Sequence, residues 1–127
     1  MYILEKKFLA SNLTVSFGAT AADGTHFTSA TVGLGDADLV SITIQAKGSN
    51  ASASGTITFR FASYSLSLDG WDTNPVKILQ IALNGTSTVR ETFVMRLPVG
   101  LLKLLSVSNG DSTYNASVNA SILAIKK

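Results

Sequence analysis

His26 is the single histidine of a 127-residue chain that has no cysteine. Nucleophilic catalysis needs a base held beside a hydroxyl or thiol, and His26 has Ser and Thr neighbours only because those residues are abundant. It reads as a strand-surface histidine. Without cysteine there is no disulfide scaffold, thiolate zinc site or cysteine nucleophile. Two carboxylate pairs, Asp36/Asp38 and Asp69/Asp72, lie in glycine-containing stretches, and loop carboxylates of this kind supply oxygen ligands to calcium. Neither pair matches an EF-hand or a glycine–aspartate repeat, so turn formation and solvation are the better reading. Two-carboxylate glycoside chemistry has only the spacing in its favour. Gly33-Leu34-Gly35 lacks the third glycine and the following helix of a dinucleotide-binding turn. The expectation is a protein with no catalytic residue, no metal and no cofactor, and hence not an enzyme.

Trp71, the only tryptophan, lies beside Asp69, Asp72 and Asn74. An aromatic face ringed by polar groups suits a sugar, an exposed tryptophan suits a protein interface, and a tryptophan folded back would cover one end of the core. All three roles stay open. Asn-x-Ser/Thr triplets begin at Asn12, Asn50, Asn84, Asn115 and Asn119, an abundance that follows from the Ser/Thr-rich composition.

Charged residues make up 14% of the chain, against about 25% in an ordinary soluble domain. Ser, Thr and Asn occupy the polar positions instead, which fits either a surface partly buried in an assembly or a Ser/Thr-rich extracellular sandwich. The ten Lys and Arg are dispersed, with Lys6-Lys7 and Lys126-Lys127 the only adjacent pairs, so no nucleic-acid surface is expected. No run of eighteen apolar residues offers a membrane span. Residues 8–22 resemble a signal peptide poorly, because Ser11, Asn12, Thr14 and Ser16 interrupt the apolar stretch.

Period-two alternation dominates. Val40, Ile42, Ile44 and Ala46 alternate with polar residues, as do Ile57, Phe59 and Phe61 beyond the soft connection 48–55. The length suits a single domain, 1–127, with residues 1–12 an edge strand or extended arm. Leu13, Val15 and Phe17 suggest a short strand, 18–24 a loop, and 26–32 a β-compatible stretch. Phe59 and Phe61 are odd-numbered whereas Tyr64, Leu66 and Leu68 are even, which predicts a bulge at Ala62–Ser63. Residues 69–75 read as a loop and Pro98-Val99-Gly100 as a corner. No stretch shows a helical period. The fold class is all-β: an antiparallel two-sheet β-sandwich of jelly-roll or immunoglobulin-like type, with about eight or nine strands and little or no helix.

Two hairpins are expected. A three-residue loop, Leu83-Asn84-Gly85, sets Lys77 opposite Glu91 with Gly85 left-handed. A two-residue Asn109-Gly110 turn sets Leu105 opposite Tyr114 and Leu101 opposite Val118. Tyr114, Ala116, Val118, Ala120, Ile122 and Ala124 then face the core. Leu102 and Leu104 fall instead on the polar face with Asn115 and Ser117, joined by Leu123 and Ile125 further along. Either residues 3–13 cover this patch, or a neighbouring subunit does. The expected interface residues are Trp71, Leu102, Leu104, Leu123, Ile125, Ile3 and Phe8.

The chain resembles the small β-sandwich virion proteins of tailed bacteriophages, the capsid decoration or cement proteins. The resemblance rests on the strand 38–46 and its Gly/Ser-rich loop, on Gly55-Thr56-Ile57-Thr58-Phe59, and on Ser67-Leu68-Asp69-Gly70-Trp71. Pro98-Val99-Gly100-Leu101 before an alternating Ala/Ser/Val strand completes it. It covers roughly residues 36–125 and leaves the N-terminal third unmatched. It implies a non-enzymatic structural protein at the capsid surface. Its partners would be the major capsid protein or other virion subunits and copies of itself, a homo-oligomer of trimer type, with no nucleic acid or membrane. The alternatives are a carbohydrate-binding β-sandwich module and an extracellular filament subunit.

Overall fold

Alternating apolar residues can bury one face of a strand only if a second layer covers them, and that requirement organises the chain. Among the described residues ten strands result: β1 (Tyr2–Val15), β2 (Thr20–Ala22), β3 (Val32–Gly33), β4 (Leu39–Gly48), β5 (Thr56–Ser65), β6 (Gly70–Trp71), β7 (Lys77–Ala82), β8 (Val89–Met95), β9 (Leu101–Asn109) and β10 (Ala116–Lys126). This computed structural model describes residues 1–97 and 99–127, and no described residue is helical. Pro98, part of the expected corner, lies outside the described residues.

One sheet has the order β1-β10-β4-β8. In the other, β2 and β3 pair with one side of β9, and β5 pairs with its opposite side. β6 and β7 pair in turn with the free side of β5. All ladders are antiparallel. With β2 and β3 taken as one interrupted strand, and β6 as the return of the β5 hairpin, each sheet has four main strands. The chain then changes sheet at every connection except β5 to β7. That is the jelly-roll alternative rather than the immunoglobulin one.

The core lies between the sheets. Val40, Ile42, Ile44 and Ala46 enter it from β4, and Ile57, Phe59 and Phe61 from β5. These two strands, neighbours in sequence, thus face each other across the sandwich. Ala116, Val118, Ala120, Ile122 and Ala124 line β10 as the alternation predicts. The alanines offset the bulk of Phe59 and Phe61 in the same cluster. β1 is an edge strand that runs unbroken from Tyr2 through Val15, with register shifts that absorb its irregular pattern. Part of the predicted 18–24 loop is β2, and most of 26–32 is irregular.

Both expected hairpins are corrected. Lys77 pairs with Phe61 and Glu91 with Ile44, so β7 and β8 lie in different sheets. The link between them is drawn across the sandwich by Leu83 N–H to Gly55 O (2.9 Å) and Gly85 N–H to Ala53 O (2.8 Å). Gly85 is left-handed (φ 59°), as the loop argument required. β9 and β10 are likewise in different sheets, because the side chains of Asn109 and Asp111 make Asn109-Gly110 a crossing rather than a tight turn.

The bulge expected at Ala62–Ser63 is absent: β5 keeps its register from Phe61 through Ser63, Tyr64 falls on the outer side by plain alternation, and the irregularity lies on the partner strand β9. Arg60 pairs with Ser106 and Phe61 with Leu104, which leaves Leu105 as an extra residue in β9. Its carbonyl accepts the Asp23 N–H (2.9 Å). The bulge turns Leu102 and Leu104 inward, and both are 0% exposed. Neither can belong to a surface patch; each gains about 1.5–3 kcal/mol from burial. Leu66 and Leu68, expected to continue β5, lie instead in the turn that follows it.

Candidate interaction face

The outward side chains of the β1-β10-β4-β8 sheet form two contrasting halves. Ile3 pairs with Ile125, and Ile125 with Leu39. Leu123 pairs with Ser41, which pairs with Val94. These side chains make an apolar strip across four strands, with Ile3 55% and Val94 62% exposed. Phe8 lies further along β1, opposite Ser121.

Beyond Phe8 the same face turns polar. The Arg90 guanidinium donates twice to Gln45 Oε1 (2.9 and 2.7 Å), and the Thr43 and Thr92 hydroxyls share a bond of 2.9 Å. Asn119 Oδ1 accepts the backbone N–H of Asn12 (2.8 Å), itself left-handed (φ 50°) at a shift in the β1 register. With Lys6 and Phe8 on the rim, these groups line a shallow depression of about 600 Å³. Regular pairing holds the amides and hydroxyls in fixed positions, so they can donate and accept at low entropic cost.

The expected interface residues therefore separate. Ile3, Phe8, Leu123 and Ile125 share this face, while Leu102 and Leu104 are core. Trp71 lies half-buried on the outside of the other sheet, opposite Tyr64. The two rings meet edge to face (5.4 Å, 82°), and Lys103 Nζ sits 4.7 Å from the Trp71 ring centroid. Lys103 is fixed in turn by an ion pair with Asp23 (2.8 Å). One face of the indole is thereby taken up by its own chain. The Tyr64 hydroxyl donates to Asp69, which raises the tyrosine pKa, and the Ser63 hydroxyl donates to Asp72 (2.9 Å).

His26 accepts the Ala22 N–H at Nδ1 (3.0 Å) in an exposed turn. Asp38 accepts the Lys127 N–H (2.7 Å). Among the described residues, no three acidic, histidine or cysteine side chains gather as metal ligands.

Asp111 is the organising residue that the sequence reading passed over. Backbone N–H groups of Tyr114 and Thr113 (2.9 Å each) and of Ser54 and Gly55 (3.0 Å each) converge on its carboxylate. They hold it well below the ordinary carboxylate range, against the opposing effect of burial. Asn109 beside it donates to Val15 O and Tyr114 O (3.1 Å each) and accepts the Asp111 N–H (2.9 Å). Asn-Gly-Asp bounded by apolar strands was the available signal, but it serves a hairpin turn and a sheet-to-sheet crossing equally.

No protein-family model matches the sequence, and no curated protein matches it. Solved structures do share the fold. A chain of the T13 IBDV viral particle superposes with a TM-score of 0.59 at 11% identity, over 95% of this chain and 30% of that one. The PRD1 vertex protein P5 gives 0.53 at 12% identity, over 99% of this chain and 100% of the other. The CBM36-1 domain of a multidomain xylanase from the hindgut metagenome of Trinervitermes trinervoides gives 0.53 at 9% identity, over 97% and 99%. The chain thus spans under a third of the IBDV chain. At these identities the likeness shows a shared β-sandwich, and nothing finer.

Proposed function

We propose that this protein is a non-enzymatic structural subunit of a virus particle, a decoration or cement protein that binds the capsid surface through its β1-β10-β4-β8 face. The observation that carries this reading is the apolar strip Ile3–Ile125–Leu39 with Leu123 and Val94, which no segment of the chain covers among the described residues. A charged fraction of 14% supports it, since a surface largely occupied in an assembly needs fewer charges. The fold shared with the IBDV particle chain and the PRD1 vertex protein also supports it. The test is co-sedimentation with virus particles purified from the infected host. The parent protein travels with the particles, whereas an Ile3→Lys/Leu123→Lys variant with an unchanged circular dichroism spectrum stays at the top of the gradient. A parent protein that never enters the particle fraction refutes the reading.

A second reading has its own observation. The polar half of the same face, with Gln45, Arg90, Asn119 and the rim residue Phe8, presents fixed amide and guanidinium groups suited to a neutral polyhydroxylated ligand. The fold shared with the CBM36-1 domain supports it. A glycan array separates the two, because carbohydrate binding would be lost in Asn119→Ala and kept in Leu123→Lys.

A further inference from the structure

The end of the sandwich where β5 runs out and β9 begins carries both a projection and a hollow. Leu66 and Leu68 occupy the turn between β5 and β6, 87% and 85% exposed. That turn is stiffened by the Tyr64–Trp71 ring contact, the Tyr64–Asp69 and Ser63–Asp72 bonds, and the Asp72 N–H to Ser63 O bond (2.9 Å). Two leucines are therefore presented in water on a preorganised support, flanked by the carboxylates of Asp69 and Asp72.

The hollow, of about 410 Å³, lies at the same end and is lined by Leu34, Ala37, Leu97 and Val99 with Arg96 at its margin. The two features share one scaffold strand: Ser63 pairs with Leu102 on β9, and the Leu34 N–H donates to Gly100 O (2.8 Å) just before it. Arg96 is exposed, and it forms no ion pair among the described residues.

We propose that this end binds a second copy of the chain. Leu66 and Leu68 of each protomer enter the Leu34/Ala37/Leu97/Val99 hollow of the other, and Asp69 and Asp72 meet Arg96. An apolar knob with acidic flanks and an apolar hollow with a basic margin complement each other. Because both sit at one end, a single two-fold axis satisfies both contacts at once. The contact uses an end of the sandwich rather than its β1-β10-β4-β8 face, so it stands or falls separately from capsid binding.

Sedimentation equilibrium of the full chain tests it. The parent dimerises reversibly. Leu66→Ser/Leu68→Ser, at positions too exposed to disturb folding, weakens dimerisation by about a hundredfold or more. Arg96→Glu weakens it by about tenfold. Ala37→Trp, which fills the hollow, also yields monomer, and mixing it with the leucine double variant forms a heterodimer through the one intact knob and hollow. A parent that stays monomeric into the millimolar range overturns the proposal. So does a leucine double variant that dimerises as the parent does, or a mixture that remains monomeric.

Discussion

The two ends of the sandwich are built on opposite principles. At the Asn109 end, backbone approaches backbone so closely that side chains are excluded: a Cβ on Gly55 would lie 2.3 Å from Asp111 N and 2.4 Å from its Cα. Around this point four N–H groups converge on one carboxylate and the chain crosses between sheets. At the opposite end, Ile3, Leu66, Leu68 and Val94 stand in solvent on well-paired strands or a braced turn. One end therefore spends its specificity on holding the fold, and the other has apolar surface available for something outside it. Substitutions should divide the same way, with large effects on stability at the first end and effects on association alone at the second.

The largest expected effect is Gly55→Val, which displaces the Asp111 segment and should cost about 4 kcal/mol or more in urea unfolding. Next comes Leu104→Ala, which opens a cavity at a fully buried site and should cost about 3 kcal/mol by the same measurement. A cost near zero would mean that Leu104 is exposed, as the two-residue hairpin required. Asp111→Asn should lower the melting temperature and also change its pH dependence. The depressed carboxylate contributes stability that is fully present above the ordinary carboxylate range and is lost as pH falls through and below that range. The parent should therefore lose stability in acid faster than the variant, and parallel pH profiles would contradict the arrangement. The smallest effect is at the solvent end: Val94→Ser should change stability by less than about 0.5 kcal/mol. A larger loss would place Val94 in the fold rather than at a contact.

Faces were legible in the sequence and neighbours were not. Alternation places Val40, Ile42 and Ile44 inward without ambiguity, and on β10 it separates Ala116 and Val118 from Ser117 and Asn119. The same period holds whichever strand lies alongside, so Asn84-Gly85 and Asn109-Gly110 both suit hairpins although each carries the chain to the other sheet. Only the side chains of Asn109 and Asp111 distinguish the second case, through bonds to residues distant in sequence. The error at Leu102 and Leu104 has a separate cause. The single extra residue at Leu105 exchanges the two faces of β9 midway, and counting back from the turn carries that slip to every earlier position. Of the expected interface, Ile3, Phe8, Leu123 and Ile125 came out on one face because β1 and β10, at opposite ends of the sequence, pair directly.

The place of β10 has a consequence for how the molecule comes into being. It is the last of the ten strands to be synthesised, yet it lies inside its sheet, bonded to β1 on one side and β4 on the other. Until it arrives, β1 and β4 have no strand between them, and the inner face of the opposite sheet lacks part of its cover. Contacts between residues as far apart as Tyr2 and Lys126 close only at a large cost in chain entropy. Folding should therefore be slow and delayed until β10 has been made, with the unpaired edges of β1 and β4 open to wrong partners during the wait.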